Sequence, residues 1–217
     1  MKKGKLIVID GSDSSGKATQ AKLLVNRLKK EGKKITTVTF PQYNSFYGKM
    51  ISRYLRGEFG SPHKINPYLV SLLYAYDRLL VKDKLIKWLK QGKIIIADRY
   101  VSANKIHQTT KIASKKEKEK YLAWLDKLEY DLCRLPHPDL VLYLYVPLKV
   151  LLKWKRKRIR QASHKFNNKY FKRVEAQAKS LARKYKNWKM IKCAQDTKIF
   201  SKKEIAEEVW KEINKII

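Results

Sequence analysis

Apolar residues along the chain follow two rhythms. Short, nearly unbroken apolar runs occupy residues 5–10, 94–98 and 140–146, residues 34–40 form a β-rich run, and a weaker run surrounds Met190 and Ile191. Runs of this length suit strands buried on both faces of a parallel sheet. Between them apolar residues recur at helical spacing, as in Ala21, Leu24, Val25 and Leu28 after a Gly/Ser-rich turn. Residues 114–133 open with Lys and Glu and continue with Leu122, Trp124, Leu125 and Leu128, the pattern of a helix with one solvated and one packed face. Alternating strands and helices predict an α/β doubly wound fold with about five parallel strands flanked by helices. No Pro/Gly/Ser-rich linker divides the 217 residues and no internal repeat is evident, so one domain over residues 1–217 is expected.

Composition sharpens this picture in two respects. Lys plus Arg number 51 against 19 Asp plus Glu, a formal charge of +32, so non-specific binding of polyanions is expected. The lysines are spread over nearly every predicted helix instead of forming one stripe, and no nucleic-acid motif accompanies them. They crowd most densely in residues 149–173. No apolar run is long enough to span a bilayer, the start lacks a signal-peptide core, and Cys133 and Cys193 stand far apart without metal-ligand spacing. A cytoplasmic protein with no membrane partner, no disulfide framework and no zinc site is the expectation.

The chemistry is concentrated after the first strand. Gly11-Ser12-Asp13-Ser14-Ser15-Gly16-Lys17 matches the first seven positions of the P-loop pattern, and it lies between a predicted strand and a predicted helix as that motif requires. Glycines let backbone N–H groups turn toward phosphate oxygens, a helix N-terminus favours their charge, and Lys17 reaches the β- and γ-phosphates. ATP is the expected ligand, cradled by Gly11, Ser12, Ser14, Ser15, Gly16, Lys17, Ala18 and Thr19. Position 18 carries Ala where the motif has a hydroxyl that helps hold magnesium. Water in place of the hydroxyl, weakened metal affinity, or nucleotide binding without turnover would each follow. Water is preferred, because magnesium usually keeps several.

Four landmarks stand in order: the stretch from Asp10 to Gln20, Phe40-Pro41 after the second strand, Tyr74-Ala75-Tyr76-Asp77-Arg78, and Asp98-Arg99-Tyr100. Together they resemble the thymidylate kinase family over nearly the whole chain. The resemblance implies a P-loop nucleoside monophosphate kinase that uses ATP and Mg2+ to convert thymidine monophosphate (dTMP) to the diphosphate, acting as a homodimer. The alternatives are a related dUMP or UMP kinase, or a catalytically impaired nucleotide-fold protein that binds nucleic acid.

The resemblance also implies roles for single residues. Asp98 would bind the metal, although a strand-end carboxylate also serves as a helix cap. Arg78 and Arg99 would clamp the acceptor phosphate, with surface ion pairs as the alternative. Phe40 and Tyr74 would face the pyrimidine, while the bare sequence would make both core residues. Asn104 and Gln108, four apart on one helical face, would hydrogen-bond the base edge or simply be exposed polar positions. Asp13 would approach the acceptor sugar hydroxyl. Ser14 excludes a P-loop arginine, so a lid over residues 155–170 would supply the catalytic one, Arg156 or Arg160; most charges there are a solvated face. His107 stands where the family usually has Tyr beside the sugar, Tyr145 replaces a common acidic residue, and Ala178 replaces a common Tyr.

Overall fold

Strands β1 (Lys5–Gly11), β2 (Ile35–Thr39), β3 (Ile94–Asp98), β4 (Leu140–Tyr145) and β5 (Trp188–Lys192) form a five-stranded sheet in the order β2-β3-β1-β4-β5. All four pairings are parallel. This computed structural model describes residues 3–12, 15–151, 168–196 and 198–217. Alternation along β1 divides the interior: Leu6 and Val8 enter one core cluster, Ile7 and Ile9 the other. The first cluster packs the sheet against α4 (Lys82–Lys90), α5 (Val101–His107), α6 (Lys115–Asp126) and α7 (Asn168–Lys184). The second packs it against α1 (Lys17–Lys30) and α8 (Lys202–Ile213). Helices α2 (Phe46–Arg56) and α3 (Pro67–Leu79) stand as a pair on the first cluster's side, where α3 touches α5.

The register brings the chemistry to one edge. Ile9 and Thr39 both pair with Asp98, and Gly11 pairs with Leu144. Asp10, Phe40 and Arg99 therefore leave the sheet side by side at its carboxyl edge. Because β1 lies between β3 and β4, this edge is also where the strand order reverses, the place at which open α/β sheets bind ligands.

Three local features depart from the hydrophobic pattern. The helix over 114–133 is α-helical only to Asp126 and continues as a π-helical turn over Lys127–Leu132, which carries Glu129 to complete burial. The wider turn re-aims a carboxylate that apolar spacing would leave at the surface. A two-residue hairpin, β6 (Ala194–Gln195) with β7 (Lys198–Ile199), is too short to show a period. Tyr145 uses its hydroxyl to donate to Glu175 at 2.7 Å, tying the end of β4 to α7, and Ala178 is wholly enclosed where α7 meets the sheet. Cys133 and Cys193 are free thiols, and among the described residues no helix is long and apolar enough to cross a membrane.

Candidate active site

The donor half is built chiefly from backbone. At Gly11 an added Cβ would fall 2.7 Å from Ser15 Oγ and 2.8 Å from the Leu144 carbonyl, so any side chain would push the loop off β4. Gly16, at φ 89°, is the left-handed residue that turns the loop into α1. The first turn of α1 contains no acidic residue, so its positive end is not neutralised locally. Lys17 folds back with Nζ 3.1 Å from the Gly11 carbonyl and 3.0 Å from that of Ser12. A cavity of about 430 Å³ opens here, lined by Ser15 to Gln20 and by Asp98 from the end of β3. Ala18 and Thr19 both reach it. Asp13 and Ser14 lie outside the described residues, as do the lid arginines Arg156 and Arg160.

A second cavity, of about 510 Å³, is lined in part by Arg99. Its walls include Phe40, Tyr74, Arg78, Asn104, His107 and Gln108, every substrate-contacting residue expected from the sequence apart from Asp13. Arg99 sits at φ 65°, with its N–H donating to the Ile9 carbonyl at 3.0 Å. Left-handed backbone is uncommon for a residue with a side chain, and here it aims the guanidinium back over β1. Arg99 Nη1 lies 3.4 Å from Asp10 Oδ1 and 3.3 Å from His107 Nε2.

Asp10 is a residue whose role the sequence did not reveal. It is fully buried, accepts from the Gly11 N–H at 2.8 Å and the Ser102 hydroxyl at 2.7 Å, and pairs with Arg99. One carboxylate thus ties the start of the phosphate loop to the cation of the second cavity. The available signal was its place as the last strand residue before the P-loop glycine. Asp77 was also missed: its buried carboxylate accepts from the Gln42 N–H and the Ser45 hydroxyl, both at 2.8 Å, which fixes the turn after Phe40 and the cap of α2.

Arg78 and Arg99 differ in a way the sequence did not separate. Arg78 is 1% exposed and its guanidinium is held by both carboxylate oxygens of Glu129, itself 0% exposed. Burial works to lower the Arg78 pKa, but the charge and hydrogen bonds of Glu129 outweigh it and the net shift is upward. The pair is neutral as a unit, so Arg78 brings shape and hydrogen-bonding capacity to the cavity wall, with little of the net charge a phosphate clamp needs. Arg99 is a half-buried guanidinium on the wall of the second cavity, adjacent in sequence to Asp98 of the first.

The remaining wall is polar and aromatic. Asn104 Nδ2 and Gln108 Oε1 are buried and have no hydrogen-bond partner among the described residues. His107 Nδ1 lies 2.8 Å from the Tyr170 hydroxyl, which brings the start of α7 onto the cavity, and the His63 ring stacks obliquely on Tyr170 with centroids 4.8 Å apart. Burial pushes the Tyr74 hydroxyl well above its ordinary value, keeping it a neutral donor. Burial also lowers Lys111 to about 8.

Comparisons with known proteins place the chain in a family and agree with its fold. A family model described as thymidylate kinase matches residues 9–205. The chain is 37% identical over 152 residues to a probable thymidylate kinase of Thermococcus onnurineus, an alignment covering 68% of this chain and 69% of that one. It is 32% identical over 152 residues to the human thymidylate kinase, covering 68% and 63%, and 31% identical over 146 residues to that of Plasmodium falciparum, covering 67% and 63%. The chain thus spans a little under two thirds of the length of the human and Plasmodium relatives. A solved structure of thymidylate kinase from Candida albicans superposes with a TM-score of 0.73 at 22% identity, covering 98% of this chain and 92% of that one, a likeness of fold.

Proposed function

Because the chain belongs to the thymidylate kinase family, we propose that it transfers the γ-phosphoryl group of ATP to dTMP, giving ADP and thymidine diphosphate. The observation that carries the reading is a pair of cavities lined by consecutive residues of one strand end, Asp98 in one and Arg99 in the other: the first carries the P-loop lysine, the second an aromatic and amide wall of nucleoside size. The acceptor is itself a phosphate and needs no covalent intermediate, so holding two polyanions in line and neutralising them supplies most of the acceleration.

In this mechanism the loop amides from Gly11 to Thr19 and the N-terminus of α1 hold the donor phosphates, and Lys17 moves from the loop carbonyls to β- and γ-oxygens. Arg99 grips the acceptor phosphate, oriented by Asp10 and His107. Phe40 and Tyr74 bound the base, Asn104 and Gln108 read its edge, and Asp13 meets the sugar. Arg156 or Arg160 is assigned to the transferring phosphoryl group. Arg78 braces the acceptor wall through Glu129 and faces the base, a change from the phosphate clamp the sequence suggested.

Magnesium fits the donor cavity through Asp98 alone. Among the described residues no group of three His, Cys, Asp or Glu could hold an ion unaided, but a hard cation that keeps several waters and takes phosphate oxygens needs only one carboxylate. When bound it would neutralise charge on the β- and γ-oxygens.

Three further assignments follow. A homodimer is supported by the exposed apolar face of α2 and α3, where Phe46 is 69% exposed and Leu69 62%, with Tyr76 and Leu80 beside them. Polyanion binding outside the site is supported by the +32 charge. A reducing cytoplasm suits two free thiols.

The test is an ADP-release assay with ATP and Mg2+ against dTMP, dUMP, UMP, CMP and AMP. The largest kcat/KM is expected for dTMP. A larger value for UMP would move the substrate class, and no turnover together with steeply salt-dependent RNA binding would replace the enzyme with a nucleic-acid binder.

A further inference from the structure

All five strands run parallel, so all five begin at one end of the sheet, opposite the edge that carries the P-loop and Arg99. Helices that return the chain finish at that same end. α1 closes with Lys29 and Lys30 on one face of the sheet, and α4 closes with Lys87 and Lys90 on the other. Lys33 and Lys34 lead into β2, Lys93 leads into β3, and Lys3 precedes β1. Ile35 and Ile94 are register partners, so Lys34 and Lys93 stand side by side at the outer corner of the sheet. Lysines that look evenly scattered along the chain thus converge, from three separate segments, on one end of the folded molecule.

A groove of about 920 Å³ opens there, lined by Lys34, Lys87, Lys90 and Lys93 with Gln91 and Ile86. Asp83 is on its wall and lies 3.9 Å from Lys82. Asp139 and Glu31, also at this end, are engaged by Lys5 at 3.0 Å and Arg27 at 3.9 Å. Among the described residues, none of the eight converging lysines forms an ion pair. Balancing helix dipoles accounts for the four at helix C-termini, but not for Lys3, Lys33, Lys34 and Lys93. Like charges held together repel, and a polyanion relieves them. A flat bilayer surface would reach only the rim of a groove, and a second copy of this chain would bring the same charge. The groove also lacks the aromatic anchors on which protein interfaces turn.

We propose that this end of the sheet holds the phosphodiester backbone of a single-stranded nucleic acid without reading its bases. Ammonium groups track phosphates, and no aromatic ring lines the groove on which a base could stack. A single strand can lie along such a groove, whereas a double helix would meet only its rim. Five residue steps of β3, from Lys93 to Asp98, put the groove about 16 Å from the donor cavity, so strand binding and catalysis occupy opposite ends. The inference rests on the polyanion-binding assignment above and gives it a place and a partner.

Fluorescence anisotropy of a short labelled RNA of mixed sequence tests it on wild type and two variants. The groove variant combines Lys34→Gln, Lys87→Gln, Lys90→Gln and Lys93→Gln; the control combines Lys22→Gln, Lys115→Gln, Lys116→Gln and Lys203→Gln, the same loss of charge at exposed positions elsewhere. The groove variant should bind about a hundredfold more weakly at low salt, with the slope of log affinity against log salt reduced by about 3, four contacts at about 0.7 each. The pair Lys87→Gln and Lys90→Gln alone, both exposed on α4, should give about half that change in slope. The control should lose no more than about threefold, since separated exposed charges are screened from the groove. DNA of the same sequence should bind as RNA does, saturating ADP and dTMP should leave RNA binding unchanged, and both four-residue variants should melt cooperatively. Equal losses in groove and control variants overturn the groove and leave only diffuse attraction. Displacement of the RNA by ADP and dTMP overturns it too, because the strand would then lie in the active site. Tighter binding of a duplex of the same sequence, or of phosphatidylserine vesicles, overturns the partner. If wild type binds no RNA at low salt, the polyanion assignment falls together with this inference.

Discussion

The two halves of the site are made from different materials. The donor half centres on one stretch of chain, Ser15 to Gln20, where the phosphate loop enters α1, with Asp98, Val146, Cys193 and residues of β7 and the start of α8 closing the cavity. The acceptor half is assembled from side chains on α2, α3, α5 and α7 and from the loops after β2 and β3. A backbone site tolerates side-chain drift, so Ala18 in place of a hydroxyl should leave nucleotide binding largely unchanged. A side-chain site depends on how each group is held, and so Asp10, Asp77 and Glu129 stand behind Arg99, the turn after Phe40, and Arg78. The two halves tolerate change differently for that reason.

The comparison can be broken most sharply at Lys17. Lys17→Ala should lower kcat/KM about a thousandfold or more, because one cation serves the whole transferring phosphoryl group. Its melting temperature should stay near wild type, since Lys17 Nζ is held by the loop carbonyls of Gly11 and Ser12 and not by the packed core clusters. The reverse pattern is expected at Glu129. Glu129→Gln leaves Arg78 buried without its counter-charge and should cost about 3 kcal/mol of stability in urea titration. ATP affinity should move far less than dTMP affinity.

Smaller effects sharpen the picture. Arg99→Ala should lower kcat/KM about a hundredfold, and Asp10→Asn should cost little more in the Arg99→Ala background, because the two act as one unit; a double-mutant cycle in the same assay measures this. Asn104→Ala should raise the KM for dTMP about tenfold with kcat nearly unchanged, the signature of lost ground-state binding. Ala18→Ser should shift the magnesium dependence of the rate by no more than about threefold, because magnesium usually keeps several waters among its ligands.

The same division explains what could be read from the chain before folding. Four apolar runs and one β-rich run announced the five strands, and the order and spacing of Gly11, Gly16 and Lys17 announced the donor loop, because buried parallel strands and backbone cradles leave contiguous signatures. Phe40, Tyr74, Asn104, His107 and Gln108 were legible only through family resemblance, and all five line the acceptor cavity. Glu129 was invisible: it lies 51 positions from Arg78, on a π-helical turn within a segment whose charges read as a solvated face. The hydrogen bond from Lys111 to Tyr54, 57 positions apart, carries no local pattern either. Pairings of that kind are set by tertiary packing, and no sequence period encodes them.

The central claim is that one phosphoryl group passes from the donor half to the acceptor half. It is tested most directly by 31P NMR of wild-type enzyme with ATP, Mg2+ and dTMP. Growth of the thymidine diphosphate β-phosphorus signal in step with ADP, absent with Lys17→Ala, is the result predicted here. Consumption of ATP to ADP and inorganic phosphate with dTMP unchanged would contradict it.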